Sequence, residues 1–357
     1  MALIVTDKHM NLPKRYRKQG VVEVQRLIAV TCSAMTLTSC GNGFSVLVAD
    51  RLGVNSGRTF ADWCRDRANL SPEAKHTVEV ILQRTGTTKC HAAYLLLSSV
   101  KALDLTSNQI SDIKPLQSLT NLKKLTLRNN QISDIKPLQS LTNLTHLRLD
   151  NNQISDIKPL QSLTNLTELY LVNNEISDIT PLQSLTKLAE LYLTFNEISD
   201  IRPLQSLTNL TVLKLSNNEI SDITSLQSLT NLVVLNLTFN KISDITPLQS
   251  LTNLKMLKLS NNEIRDIKPL QSLTKLGKLL LDNNKISDIK PLESLTKLGE
   301  LHLYNNKISD IKPLESLIYL VERHLYLSGN PIAPKTCPLK PKSICQWEPP
   351  TQVDLVY

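Results

Sequence analysis

The stretch NNQISDIKPLQSLTNLT at residues 151–167 recurs in close copies from about residue 108 to residue 320 of a 357-residue chain. A fixed period of this kind is the sequence signature of a solenoid, in which each unit contacts only its neighbours. The sequence therefore predicts one elongated repeat domain instead of the two ordinary domains that the length alone suggests. One asparagine of each copy keeps a 22-residue period, with a two-residue insertion before the last: Asn108, Asn130, Asn152, Asn174, Asn196, Asn218, Asn240, Asn262, Asn284, Asn306 and Asn330.

Each asparagine lies within the pattern L-x-x-L-x-L-x-x-N-x-I, which identifies the repeats as leucine-rich repeats. Leu147 and Leu149 alternate at period two, so they predict the buried side of a short strand, with Arg148 on the opposite side. The chain must turn directly after such a strand, and the turn leaves buried backbone groups unpaired. Because an asparagine amide can both donate and accept, we expect the eleven asparagines to form a structural ladder.

The segment that returns the chain to the next strand, here called the returning arm, must be compact in a 22-residue unit. Pro159 has a fixed φ and no N–H, which suits the first position of a short helical or 3₁₀ turn over PLQSLTN. Asp156 precedes it by three residues and is a candidate turn or cap acceptor. The Gln and Ser residues of the arm are expected to face solvent and to be free to vary.

Over residues 97–330 the repeat is similar to that of bacterial internalins, with the pattern Asn-x-Ile-Ser-Asp-Ile-x-Pro-Leu-x-x-Leu-Thr-Asn-Leu. This resemblance implies an α/β leucine-rich repeat solenoid wound as a curved right-handed superhelix. It further implies a helical N-terminal cap, short 3₁₀ turns on the convex side and a parallel sheet on the concave face. In that family the concave sheet binds a protein partner.

The chain divides into five predicted segments. They are a signal peptide at 1–39, a tether at 40–58, a helical cap at 59–96, about eleven repeats at 97–330 and a C-terminal cap at 331–357. A solenoid exposes an apolar end at each terminus and needs such caps. In the first cap, the Ser-Pro-Glu sequence at residues 71–73 and the glycine at 86 predict the start and the end of a helix.

Two local cysteine pairs lie just outside the repeats and predict the disulfides Cys64–Cys90 and Cys337–Cys345. Disulfides of this kind brace small caps in an oxidising compartment. The alternative for the first pair is a zinc site. Its ligands would be Cys64, His76, Cys90 and His91, whose spacing matches no closed zinc motif.

The N-terminus has the order of an export signal: a basic PKRYRK, an apolar run at 27–37 too short to span a bilayer, and then small residues. Leu-Thr-Ser-Cys at residues 37–40 resembles the lipobox of bacterial lipoprotein precursors, which implies lipidation of Cys40. Glu23 and Arg26 shorten the apolar run. Plain secretion, and a cytoplasmic protein with a disordered tail, are therefore the alternatives.

The charge distribution argues against nucleic acid as a partner. The net charge is +8, but six basic and only two acidic residues precede position 39, and residues 101–330 hold 24 Lys and Arg against 23 Asp and Glu. The repeats thus lack the one-signed field that nucleic acid requires. The sequence also offers no convergent catalytic groups, phosphate loop or metal quartet. We expect no enzyme activity, no cofactor and no metal.

The outward strand positions vary between repeats, whereas the arms are nearly constant, and this difference indicates that the strand face binds a partner. Neutral drift of exposed strand positions among recently copied arms is the alternative. The mid-strand outward position holds Asp104, Thr126, Arg148, Tyr170, Tyr192, Lys214, Asn236, Lys258, Leu280, His302 and Tyr326.

Aromatic residues rimmed by mixed charges are typical of protein-binding hot spots, and the concave face has two such clusters. Phe195 could flank the first, although strand alternation does not settle its direction or that of Phe239. Surface tyrosines without any partner are the alternative. The predicted ligand-binding residues are Arg148, Glu168, Tyr170, Glu190, Tyr192, Phe195 and Lys214 in the first cluster, and His302, Tyr304 and Tyr326 in the second.

The sequence thus favours a non-enzymatic, monomeric module that binds a protein or peptide through its concave face. We expect it to be exported to the cell surface or periplasm, with membrane contact only through lipid at Cys40. An intracellular scaffold or regulatory subunit built on the same solenoid is the second hypothesis. An enzyme with its catalytic part in the N-terminal cap is the third.

Overall fold

The computed structural model describes residues 57–320 and 324–348. The N-terminal cap contains three helices: α1 Phe60–Arg65, α2 Pro72–Thr85 and α3 Cys90–Ser99. Helix α2 begins and ends for local reasons. The Ser71 hydroxyl accepts a hydrogen bond from the Ala74 N–H at 3.2 Å, and Gly86 takes the left-handed conformation with φ 67°.

The sheet of the described residues contains twelve parallel strands in sequence order, so each strand pairs only with its neighbours in the chain. The last strand comes from the C-terminal cap, which thereby extends the sheet by one strand beyond the eleven repeats. The strands are β1 Ala102–Asp104, β2 Lys124–Thr126, β3 His146–Arg148, β4 Glu168–Tyr170, β5 Glu190–Tyr192, β6 Val212–Lys214, β7 Val234–Asn236, β8 Met256–Lys258, β9 Lys278–Leu280, β10 Glu300–His302, β11 Leu325–Tyr326 and β12 Cys345–Gln346.

A 3₁₀ turn follows each repeat strand from β1 to β10. The predicted turn is confirmed, but Pro159 is its second residue and not its first, and Thr224–Ser228 forms the same turn with Ser225 in place of the proline. The Asp156 carboxylate accepts a hydrogen bond from the Lys158 N–H at 2.8 Å and so starts the turn. Equivalent aspartates do the same in the other arms. The turns are Lys114–Leu116, Lys136–Ser140, Lys158–Ser162, Thr180–Ser184, Arg202–Ser206, Thr224–Ser228, Thr246–Ser250, Lys268–Ser272, Lys290–Ser294 and Lys312–Ser316, with a further one at Lys342–Ile344 in the C-terminal cap.

The core is a continuous column of leucine and isoleucine side chains between the sheet and the arms. Leu147, Leu149, Ile154 and Leu160 are fully buried, and the equivalent residues of the other coils are buried to the same degree. Burial of such a side chain stabilises the fold by about 1.5–3 kcal/mol relative to exposure. The repeated leucine and isoleucine residues therefore stabilise each coil of the solenoid.

The eleven asparagines are placed to bridge successive coils through their side chains. Asn218 donates to the carbonyl oxygens of Leu193 and Leu215 at 3.0 and 3.1 Å, and accepts from the Ile198 N–H at 3.0 Å. The same bonds recur from Asn130 to Asn330, while Asn108 begins the series. Each amide thus satisfies buried backbone groups of its own coil and of the preceding one.

The polar residues of the arms also bond between coils. The Ser206 hydroxyl donates to the Gln183 carbonyl at 2.8 Å, and the Asn209 amide donates to the Thr186 carbonyl at 2.8 Å. Equivalent bonds join the other arms. The expectation that the arm serines are free to vary is therefore wrong for the serines from Ser140 to Ser294, because each of these joins two coils.

Both predicted disulfides are present within the described residues. Cys64 and Cys90 join α1 to α3 with Cα atoms 5.4 Å apart, and Cys337 and Cys345 close the C-terminal cap with Cα atoms 5.7 Å apart. The first bond excludes the zinc alternative. The His76 ring instead lies 2.6 Å from the Asn108 carbonyl oxygen.

The remaining predictions on the termini concern other parts of the chain. The predicted signal peptide, the predicted lipidation site Cys40 and most of the predicted tether lie outside the described residues. Within 57–320 and 324–348, no helix has the length and apolarity to cross a membrane. Nor does that part of the chain contain a group of three or more His, Cys, Asp or Glu side chains placed to hold a metal ion.

Candidate binding surface on the sheet

The outer sheet face comprises the side chains that point away from the leucine core. In β1 to β10 these are the first and third residue of each strand, together with the residue two positions after the strand. In the fourth coil they are Glu168, Tyr170 and Val172, which are all partly exposed, while Leu169 and Leu171 between them are fully buried. Strand register aligns equivalent residues of neighbouring coils in rows about 4.8 Å apart.

Four residues of the middle row form a continuous stack across β3 to β6. The rings of Tyr170 and Tyr192 are stacked with centroids 4.3 Å apart and planes at 12°. The Arg148 guanidinium lies 4.3 Å from the Tyr170 centroid, and the Lys214 ammonium lies 4.9 Å from that of Tyr192. Each ring thus has the other tyrosine on one side and a cation on the other.

Two carboxylates fix the tyrosine hydroxyls. The Tyr192 hydroxyl donates to Glu190 at 2.9 Å, and the Tyr170 hydroxyl lies 3.4 Å from both Glu168 and Glu190. Burial, followed by these negative charges, raises the pKa of Tyr170 and more strongly that of Tyr192. Both tyrosines are therefore neutral hydrogen-bond donors at physiological pH.

Two exposed phenylalanines lie in the turns that follow β5 and β7. Phe195 and Phe239 are 54% and 52% exposed, and they occupy the turn directly before their ladder asparagines. Both have left-handed backbone conformations, with φ of 55° and 54°. This conformation is unfavourable for a residue with a bulky side chain, whereas asparagine tolerates it.

The other coils place a residue suited to that conformation at the same position. Asn129, Asn151 and Asn173 form a second, exposed amide ladder, in which each side chain donates to the preceding coil. An equivalent bond joins Asn305 to Asn283 near the other end of the sheet. Phenylalanine at 195 and 239 interrupts this ladder and replaces hydrogen bonds by exposed apolar rings.

The second predicted cluster, formed by His302, Tyr304 and Tyr326, is more deeply buried than the first. His302 and Tyr326 are only 3% and 6% exposed, and their rings pack edge to face with centroids 4.5 Å apart. The His302 ring also lies 3.0 Å from the Glu300 carboxylate. Only Tyr304 is partly exposed. The cluster thus packs mainly against itself, and its role in ligand binding stays a prediction.

Glu300 is the most strongly bonded carboxylate of this cluster. Burial alone would raise its pKa, but hydrogen bonds from His302 and Lys278, with the positive charge of Lys278 at 2.8 Å, lower the pKa of Glu300 to about 2. Glu300 is therefore held ionised in the folded protein.

Sequence reasoning missed two features at the centre of the face. Strand alternation ends before the turn, so it could not give the direction of Phe239. It also gave no reason to select Lys258, which lies partly buried on β8. The available signal was the replacement of asparagine by phenylalanine at only two places in an otherwise polar column.

Comparison with known families and structures identifies the repeat. Seven overlapping matches to the family described as Leucine Rich repeats (2 copies) cover residues 98–206, 208–250 and 252–316. No curated protein sequence matches the chain significantly.

Solved structures give the closer comparison. An internalin (inlF) of Listeria monocytogenes is 37% identical over 74% of this chain and 78% of its own, with a TM-score of 0.69. A leucine-rich repeat protein of Leptospira interrogans is 29% identical over 67% and 69% of the two chains, with a TM-score of 0.58. The plant peptide hormone receptor RGFR1, solved with RGF2, shares the fold at 21% identity and a TM-score of 0.56, over 65% of this chain and 44% of its own. The protein is thus a bacterial leucine-rich repeat protein of the internalin type.

Proposed function

We propose that this protein is a non-enzymatic binding protein that holds a protein or peptide ligand on the outer sheet face of β3 to β8. The single observation that carries the proposal is the pair Phe195 and Phe239. Each exposes an aromatic ring, adopts an unfavourable backbone conformation and breaks a hydrogen-bonded ladder. Such local costs are typical of positions retained for function.

The tyrosine stack on the same sheet supplies a rigid surface. Tyr170 and Tyr192 are held by each other, by two cations and by Glu190, so little side-chain freedom remains to be lost on binding. Their faces are covered, and a ligand would contact ring edges and the charged groups around them. Rigid aromatic residues beside charges of both signs suit a protein interface.

Export to an oxidising compartment is part of the proposal. The disulfides Cys64–Cys90 and Cys337–Cys345 brace the two caps, and such bonds persist outside the reducing cytoplasm. Attachment to a membrane through lipid at Cys40 is the further prediction. A Cys40→Ala variant should lose incorporation of a radiolabelled fatty acid; retained label would contradict lipidation at that residue.

The binding proposal is tested by selection from a random-peptide library on the immobilised full-length chain. We expect the wild type to enrich specific peptides, and Tyr170→Ala/Tyr192→Ala and Phe195→Asn/Phe239→Asn to lose them, with unchanged circular dichroism. Lys136→Ala/Lys158→Ala, which removes two arm lysines, is the matched control and should select the same peptides. Equal enrichment by all four proteins would contradict the proposed face.

A further inference from the structure

The centre of the outer sheet face, on β6 to β8, has two positive charges and no negative one. Lys214 and Lys258 lie on β6 and β8, on either side of Asn236 in the strand register. The outward residues of these three coils include no aspartate or glutamate. We call this area the central lysine patch, consisting of Lys214, Asn236, Lys258 and the outward residues beside them.

Neither ammonium group of the central lysine patch has a carboxylate partner among the described residues. Lys214 contacts the face of Tyr192, and no hydrogen bond or ion pair of the described residues involves the Lys258 ammonium. Burial, together with the charges of Lys278 and Lys214, lowers the pKa of Lys258. A partly buried charge without a counter-charge is costly, and an incoming anion would remove that cost.

Asn236 and Ser260, beside the lysines, form hydrogen bonds within the protein. The Asn236 amide donates to the Ser216 hydroxyl at 3.4 Å and accepts from the Thr238 N–H at 3.1 Å. The Ser260 hydroxyl donates to Asp282 at 2.6 Å. The two ammonium groups are therefore the charged groups of the central lysine patch that are available to a ligand.

Apolar side chains line both sides of the lysine row. Val212, Val234 and Met256 form a partly buried row on one side, and the exposed Phe239 lies beyond the other. A ligand that covers the central lysine patch must therefore combine carboxylates with apolar groups. A protein segment has both.

The spacing of the lysines defines the shape of that segment. Two strand intervals separate β6 from β8, which amounts to about 9.6 Å. A polyproline-like extended chain rises about 3.1 Å per residue and repeats its side-chain direction every third residue, about 9.3 Å apart. Acidic side chains at positions i and i+3 of such a segment would meet the two lysines.

We infer that the central lysine patch binds an extended acidic protein segment, with carboxylates three residues apart on Lys214 and Lys258 and apolar side chains beside Phe239 and Val234. This inference rests on the proposed function and names the chemistry of its ligand. A polyanion such as nucleic acid fits less well. Glu190 on β5 and Asp282, two residues after β9, border the patch and would repel a continuous row of phosphates.

The test compares the wild-type full-length chain with Lys214→Gln/Lys258→Gln in random-peptide selection. We expect the wild type to enrich Asp or Glu at i and i+3, and these peptides to bind the variant about 30-fold more weakly. Lys136→Gln/Lys158→Gln loses the same charge from the arms and should bind as the wild type does. Enrichment of peptides without the acidic pair, or the same selection by the Lys214→Gln/Lys258→Gln variant, would overturn the inference.

Two further measurements distinguish a failure of the acidic-segment inference from a failure of the binding face. If Phe195→Asn/Phe239→Asn loses binding while Lys214→Gln/Lys258→Gln retains it, the face binds a ligand and only the acidic chemistry fails. Acetylation of Lys258 by acetic anhydride should slow about tenfold when a selected peptide saturates the wild type. An unchanged acetylation rate would contradict contact at Lys258, whatever the effect of the substitutions.

Discussion

The returning arms and the outer sheet face belong to the same repeats but use their polar groups differently. In the arms, Ser206 and Asn209 bond to the preceding coil, and the aspartate of each 3₁₀ turn binds a backbone N–H. On the sheet face, Lys214 and Lys258 lack carboxylate partners within the described residues, and Phe195 and Phe239 are exposed. The arms thus satisfy their groups internally, while the centre of the face leaves groups available.

This difference gives a structural reason why the arm residues stay the same from repeat to repeat. Constant arm serines do not require a recent duplication, because each serine from Ser140 to Ser294 joins two coils and its loss would leave a carbonyl without that partner. Variation on the sheet face is likewise weak support for binding by itself. The stronger argument comes from residues such as Phe195, where the substitution costs stability.

The largest effect is expected at the asparagine ladder, which both regions share. Asn218→Ala removes the side-chain hydrogen bonds to three carbonyl oxygens and from the Ile198 N–H and leaves buried backbone groups unpaired, so the free energy of unfolding should fall by about 3 kcal/mol. Denaturant unfolding measures this change. Asn209→Ala on the exposed arm is the control and should cost about 1 kcal/mol or less. Equal losses for the two variants would contradict a special role for the ladder.

Acid should weaken the sheet face through Glu300. Its pKa of about 2 in the folded protein lies below the ordinary value of 4.5, so its stabilisation is complete above pH 4.5 and is lost as the pH falls toward 2. This contribution amounts to at most about 3 kcal/mol. The difference in unfolding free energy between wild type and Glu300→Gln should therefore shrink over that range.

Glu315→Gln, on an exposed arm, controls for the loss of one negative charge in this experiment. A difference between wild type and Glu300→Gln that stays constant from pH 5 to about pH 2 would contradict the ion pairing described for Glu300.

Replacement of the two phenylalanines should separate stability from binding. Phe195→Asn/Phe239→Asn relieves two left-handed backbone conformations, so the free energy of unfolding should rise by about 1–2 kcal/mol while peptide binding is lost. Thermal unfolding and the peptide selection measure the two effects. Asn217→Phe, in the coil between them, makes the reverse change and should destabilise the protein. A double variant less stable than the wild type would mean that the rings serve the fold.

The smallest effect is expected in the arms. Ser206→Ala removes one bond between coils and should cost about 1 kcal/mol of unfolding free energy, with unchanged peptide binding. Gln205→Ala alters a side chain that forms no hydrogen bond with the described residues, and it should cost less. A loss of binding on Ser206→Ala would remove the distinction between arm and face.

The fold could be predicted nearly in full because the same structure-determining residues recur in every coil. Leu147, Asn152 and Pro159 each have one physical role, and eleven copies remove ambiguity about period and register. The twelfth strand, Cys345–Gln346, was not predicted because it lies outside the repeat. The pairing of the cysteines could be predicted since each pair is local and lies beside one end of the repeats.

The candidate surface could be predicted only in part. Strand alternation placed Tyr170 and Tyr192 side by side, but it could not show that their faces are covered by each other and by two cations. Burial of His302 depends on the packing of several coils, which no single repeat specifies. Lys258 lacks a carboxylate partner because three neighbouring strands carry no outward carboxylate, and this becomes visible only when the strands are compared together.

The asparagine ladder also makes the coils interchangeable. Every junction from Asn130 to Asn306 uses the same donors and acceptors at the same offsets, so a coil inserted or deleted at any of these junctions meets the partners it requires. Each such insertion or deletion changes the distance between two surface groups on either side of it by one strand interval, about 4.8 Å. The gene can therefore change the spacing of its ligand contacts in fixed steps, without altering a single residue that makes them.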